Sequence, residues 1–103
     1  MYRIRYNIKA KNDITNILKY ITDDLFNPSA AMSLAKEIYN AINNLVDFPY
    51  ANPVYRAYYN LKHEYRRLIV KNYIVFYYVN DEKKFITIAR VLYFSMNYSA
   101  YLF

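Results

Sequence analysis

The chain contains no cysteine, no glycine and no tryptophan, and only one histidine and three prolines in 103 residues. Without cysteine there can be no disulfide, thiolate metal site or cysteine nucleophile. One histidine cannot build a typical transition-metal site, so neither a metal nor another cofactor is expected. Without glycine, every turn that needs positive φ must use another residue, asparagine being the usual substitute. No apolar run approaches the ~20 residues of a membrane span, so no membrane association is expected. The start, Met1-Tyr2-Arg3-Ile4-Arg5-Tyr6, has no apolar stretch of the signal-peptide kind. Together these absences suggest a cytoplasmic protein.

What is present is apolar and aromatic. Hydrophobic residues make up 56% of the chain, and 15 of them are tyrosines with a polar end. That content argues against disorder. The length suits one domain, residues 1–103, with one core. The chain is also rich in Asn, Ile and Lys, the skew of an AT-rich coding sequence, so tyrosine number alone says little about base stacking. The net charge of +6 is uneven. Residues 1–48 carry six Lys/Arg against five Asp/Glu, and residues 49–103 carry eight against three. The basic second half suggests an acidic partner, whether nucleic acid, ribosome or an acidic protein, or ordinary solubility charge.

Residues 2–8 alternate in type and predict a strand. Ile14, Ile17, Leu18, Ile21 and Leu25 recur at helical spacing and predict one helix over 10–25. Asn27 suits an N-cap and Pro28 the first helical position. A second helix is predicted over 28–46, with Ala31, Leu34, Ile38, Ala41, Ile42 and Leu45 on its apolar stripe. Phe48-Pro49 ends it. Residues 49–61 show no clear period and predict a loop. Three strands rich in β-branched and aromatic residues follow: Tyr65 to Val70, Tyr73 to Val79 and Phe85 to Tyr93. Lys71-Asn72 separates the first two, with Asn72 expected at positive φ; a longer polar turn separates the last two. Strands joined this tightly are antiparallel. The sum is an α+β fold of order β-α-α-β-β-β. A helical hairpin packs on one face of a small, mainly antiparallel sheet, and the other face is left open for a partner.

The wording of these strands carries a resemblance. Tyr65-Arg66-Arg67-Leu68-Ile69-Val70-Lys71-Asn72-Tyr73-Ile74-Val75-Phe76-Tyr77 resembles the RelE/ParE toxin pattern of a basic strand, a turn and an aromatic strand. Ile88-Ala89-Arg90-Val91-Leu92-Tyr93 resembles its closing strand. Asp13 to Ile21 resembles its first helix, and Asn27 to Ala31 and Leu45 to Pro49 resemble the ends of its second. The resemblance implies the toxin of a type II toxin–antitoxin pair, causing growth arrest and bound by a cognate antitoxin. RelE-like members cut mRNA on the ribosome, whereas ParE-like members inhibit DNA gyrase without cutting nucleic acid. RelE-like cleavers place an arginine directly after the tyrosine that opens the middle strand, where this chain has Ile74. They also carry a basic tail, and Phe94 to Phe103 has no basic residue; Tyr98 and Tyr101 are out of register. The resemblance therefore lies closer to the non-cleaving branch. A ribosome-dependent mRNA interferase and a degenerate, non-toxic binding module remain alternatives.

Two sets of side chains follow as site candidates. His63, Arg66, Arg67 and Arg90 are the catalytic candidates, since proton transfer and phosphate charge need such groups. His63 equally suits a loop edge with no role. Lys62, Arg66, Arg67, Lys71 and Arg90, with Tyr73, Tyr77 and Tyr93, are candidates for contact with the target or nucleic acid. Arg90 sits among apolar neighbours and needs either an open face or an internal carboxylate such as Asp13 or Glu37.

Overall fold

A computed structural model describes residues 1–56 and 60–94. The strand β1 spans Arg3–Tyr6, the helix α1 spans Ile8–Lys19, and Tyr20–Asp24 continue it as a π-helical turn. The helix α2 spans Pro28–Asn44, and the strands β2, β3 and β4 span Arg66–Val70, Tyr73–Asn80 and Phe85–Tyr93. The four strands form one sheet in the order β1-β4-β3-β2. β1 runs parallel to β4, while the other two pairings are antiparallel. The predicted architecture is the one observed.

Most predicted boundaries shift by one or two residues, and the physics of each shift is visible. β1 is shorter than expected because Asn7 leaves it. The Asn7 N–H donates to the Ile88 carbonyl as the last rung of the ladder, while the Asn7 carbonyl accepts from Lys11 as the first turn of α1. Ile8, expected in the strand, is therefore an exposed residue of the first helical turn. α2 starts as predicted. The Asn27 side chain accepts from the Ala30 N–H at 3.1 Å, and Pro28 occupies the first turn.

The single helix expected over 10–25 is instead an α-helix that widens. The Leu25 N–H reaches the Tyr20 carbonyl at 3.2 Å, a five-residue separation. This extra residue per turn carries Leu25 out of the buried stripe, and it is half exposed. Phe26 then takes φ 52° and points into solvent. At the β2–β3 turn, Lys71 and not Asn72 has positive φ, at 54°. A positive φ at the first central residue alone is the type II′ pattern. The third positive φ falls on Lys84, beside β4.

The core lies between the helices and one sheet face. Ala10 and Ile14 of α1 and Leu34, Ile38 and Ile42 of α2 cover Val70, Val75, Tyr77, Ile86, Ile88 and Val91. Ile86, Ile88 and Val91 share this face only because β4 carries a bulge. Tyr77 pairs with Ile88 and Phe76 with Arg90, leaving Ala89 as the extra residue. The bulge reverses the alternation, so Leu92 and not Val91 joins the opposite face. That face is not open as expected. Ile74, Phe76 and Leu92 form a second buried cluster on it, with Tyr55 packed edge-on against Phe76.

The loop that supplies Tyr55 is bonded along the start of β2. Tyr55 N–H donates to the Tyr65 carbonyl and Arg67 N–H to the Pro53 carbonyl, around a bridge between Val54 and Arg66.

β1 ends beside Ile88, but β4 continues to Tyr93, leaving its outer edge uncovered. Asp13 of α1 fills that gap. Its Oδ2 accepts from Arg90 Nε at 2.7 Å and from the Val91 N–H at 2.9 Å, and its Oδ1 accepts from Arg90 Nη2 at 2.9 Å. Both side chains are largely buried. Removing one partner of such a pair leaves an uncompensated charge, at a cost of ~3 kcal/mol or more. Asp13→Ala should therefore lower the urea midpoint by an amount corresponding to about 3 kcal/mol. The double variant Asp13→Ala/Arg90→Met should recover much of that loss.

Candidate functional site

A groove of about 880 Å³ lies between the helical hairpin and the ends of β3 and β4. One wall is Ile17, Tyr20, Ile21 and Leu25, brought to one side by the π-helical turn. The other wall comes from the first turns of α2, including Ala30 and Leu34. Tyr73 and Tyr93 form the floor, directly opposite each other in the β3–β4 ladder, with ring centroids 5.6 Å apart and edge to face. Lys71 closes one end through an exposed ion pair with Glu37 at 3.4 Å. Burial, followed by the neighbouring hydroxyls of Tyr93 and Tyr20, raises the Tyr73 hydroxyl above the usual tyrosine pKa.

Three expected contact residues, Lys71, Tyr73 and Tyr93, thus meet in one place. Tyr20 and Leu25 join them as exposed apolar side chains. A regular helix would put Leu25 on the buried stripe with Ile14, Ile17, Leu18 and Ile21.

The other site candidates lie elsewhere. Tyr77 is fully buried and is corrected from contact residue to core residue. Its hydroxyl donates to the Pro49 carbonyl at 2.9 Å and accepts from Asn52 Nδ2 at 3.1 Å, which fixes the loop after α2. Arg66 secures the same loop, donating to the Asn52 carbonyl at 2.7 Å and the Tyr50 carbonyl at 3.3 Å and pairing with Glu64. Arg90 takes the internal carboxylate, Asp13, of the two roles open to it. Arg67 pairs across the sheet with Phe76, and its Nε is buried with no hydrogen-bond partner among the described residues. Lys62 is exposed. His63 lies flat on the Tyr78 ring, centroids 3.7 Å apart, and meets Tyr65 edge-on. Burial first, and Lys62 second, lower the His63 pKa. Tyr98 and Tyr101 lie outside the described residues.

His63, Arg66 and Arg90 are thus each engaged with a different partner: the Tyr78 ring, the loop carbonyls and Asp13. Ile74, at the position where RelE-like cleavers carry arginine, is 1% exposed within the second apolar cluster. Among the described residues no cluster of three His, Asp or Glu side chains could hold a metal ion. No described helix is long and apolar enough to cross a membrane.

A family model described as the ParE toxin of type II toxin-antitoxin system, parDE, matches residues 2–98. The chain belongs to this family. The protein is thus a ParE-family toxin of a type II toxin–antitoxin system. Its fold is similar to that in the structure titled as the chromosomal ParDE system from P. aeruginosa, with a TM-score of 0.72 and 18% identity, covering 90% of this chain and 96% of that one. It is also similar to a chain of the RelBE2 toxin-antitoxin complex from Mycobacterium tuberculosis, with a TM-score of 0.62 and 17% identity, covering 89% and 96%. No curated protein matches the toxin in sequence.

The lowered pKa makes His63 a stability sensor with a definite sign. As pH falls, the unfolded chain takes up its proton first, near the ordinary value of about 6.5. The neutral stacked form is thus favoured above that value, and the contribution is lost as pH falls through the lower folded value. Urea midpoints should decline below about pH 6.5, and His63→Phe should flatten this part of the profile. An unchanged profile in His63→Phe would exclude His63 as its source.

Proposed function

We propose that this toxin arrests growth from within the cytoplasm without cutting nucleic acid, by inhibiting DNA gyrase, and that a cognate antitoxin neutralises it. The observation that carries the first part is the state of the cleavage candidates. Arg90 is committed to Asp13 and Arg66 to loop carbonyls. Ile74 is sealed in apolar contacts where cleaving relatives use a guanidinium. An in-line cleavage of RNA needs free donors aimed at the developing phosphate charge and a base poised near the 2′-hydroxyl. His63 is the one imidazole, and it is stacked rather than aimed into a cleft.

The groove supports the antitoxin part. It is lined mainly by apolar and aromatic side chains, with a tyrosine floor and an ion pair at one rim, as suits the apolar face of an amphipathic segment that folds on binding. The two similar structures come from toxin–antitoxin systems. Acidic residues on the segment's other face would suit the toxin's net positive charge.

Purified toxin should inhibit gyrase supercoiling while translating mRNA stays intact. Mapped ribosome-dependent cuts would overturn this reading, and induced expression without growth arrest would overturn toxicity itself. For the groove, Leu25→Asp is the informative variant, because Leu25 is half exposed and its loss leaves the core intact. It should retain toxicity but lose antitoxin affinity by roughly 30-fold, the effect of a hot-spot residue. Unchanged neutralisation by co-expressed antitoxin would place the antitoxin elsewhere.

A further inference from the structure

The sheet face turned away from the helices has a second region, beyond the cluster of Ile74, Phe76 and Leu92. The register puts Arg5 opposite Thr87 and Thr87 opposite Tyr78, so these three side chains form one row across β1, β4 and β3. Arg3 pairs with Phe85 in the next row, on the same face. Arg3 and Arg5 are both exposed. The Arg5 Nε donates to the buried Thr87 Oγ1 at 3.0 Å, and its guanidinium lies 4.6 Å above the Phe85 ring centre. The remaining guanidinium nitrogens of Arg5, and all of those of Arg3, have no carboxylate partner among the described residues. At the other end of the row, Tyr78 carries the flat-stacked His63, next to exposed Lys62. No strand residue on this face is acidic.

We propose that this strip, Arg3 and Arg5 with Phe85, Tyr78 and His63, binds a single-stranded nucleic acid. The reasoning combines charge with ring geometry. Residues two apart on a strand stand about 6.6 Å apart on one face, so Arg3 and Arg5 offer two guanidinium groups side by side along β1. Three neighbouring strands carry the row from Arg5 to Tyr78 across about 10 Å. The Arg5 guanidinium on Phe85 and the His63 ring on Tyr78 are thus planar groups with cations beside them, an arrangement that can hold phosphates at the margin and stack bases between. The Phe85 ring and Thr87 hydroxyl hold the Arg5 guanidinium in place, so less side-chain freedom is lost when a phosphate binds. An acidic protein segment would use the arginines but leave the outer faces of the Arg5 guanidinium and the His63 ring unstacked. The strip lies on the opposite face from the groove and does not depend on the gyrase reading.

The test is anisotropy of a labelled dT oligonucleotide titrated with the purified toxin over a range of salt. Arg3 is exposed and has no salt-bridge partner among the described residues, so Arg3→Ala is not expected to disturb folding. Each arginine neutralising one phosphate contributes about 0.7 to the slope of log affinity against log salt. Arg3→Ala should reduce the slope by that amount, and Arg3→Ala/Arg5→Gln by about twice as much. Lys71→Ala, which removes an equal charge at the groove, should leave the slope unchanged. Phe85→Leu should weaken binding at every salt concentration while keeping the slope. Absence of binding, or an equal effect of Lys71→Ala and Arg3→Ala, would overturn the proposal. Polyglutamate competing as well as the oligonucleotide would also overturn it, in favour of an acidic protein partner. None of these outcomes depends on whether gyrase is inhibited.

Discussion

The contact of Asp13 with Arg90 and the Val91 N–H holds together two parts of the fold that would otherwise conflict. β1 is four residues long and β4 nine, so more than half of β4 has no strand beside it on that edge. An edge this apolar would present unpaired backbone donors to any passing strand. One carboxylate from α1 satisfies an edge N–H and a guanidinium together. It thereby fixes where α1 lies over the sheet. The position of α1 sets that of the π-helical turn, and so the position of one wall of the groove.

The same contact explains why the β4 bulge is needed. A regular strand would continue the Ile86 and Ile88 alternation onto residue 90, driving a guanidinium into the core beneath the helices. The extra residue, Ala89, places Arg90 opposite Phe76 and returns Val91 to the core with the isoleucines. Arg90 then meets Asp13 at the strand edge. Its pKa is raised chiefly by these hydrogen bonds, against the opposing effect of burial. Helix, bulge and ion pair are thus one device, and the absence of any one leaves either a buried charge or a misaligned strand.

The sequence is most legible where one local rule dominates. Apolar periodicity and the Asn27-Pro28 pair locate α2, and the β-branched run from Phe85 to Tyr93 locates β4. It is less legible where two rules compete. Asn7 ends a strand and begins a helix at once, and alternation alone does not say where one role gives way to the other. Positive φ falls on Phe26, Lys71 and Lys84, although asparagine adopts it at lower cost; Asn27 and Asn72 stand directly beside two of these sites. Asn27 is engaged as the cap of α2, which leaves Phe26 to make the reversal. Lys71 gains an ion pair with Glu37 from its position at the turn. Strand pattern also leaves burial along one sheet face undecided. Tyr73 and Tyr77 share the helical face, yet Tyr77 lies under the helices and Tyr73 at their margin, a difference set by helix length rather than by strand pattern.

Charge shows most clearly how composition and structure differ. The second half of the chain holds nearly all of the positive excess, which directs attention to Arg66, Arg67 and Arg90. Folding spends those groups on the loop after α2, on the second apolar cluster and on Asp13. The first half is nearly neutral by count, but its carboxylates lie on the helices and the loop that follows, away from β1. Arg3 and Arg5 consequently face solvent without an acidic neighbour on their strand or on the strands beside it. Which cations can meet a partner is decided by where the carboxylates fold, and a count along the chain does not contain that information. The groove follows the same logic in apolar terms. Its exposed surface comes from Tyr20, Leu25 and Tyr93, which a regular helix and a longer hairpin would have covered.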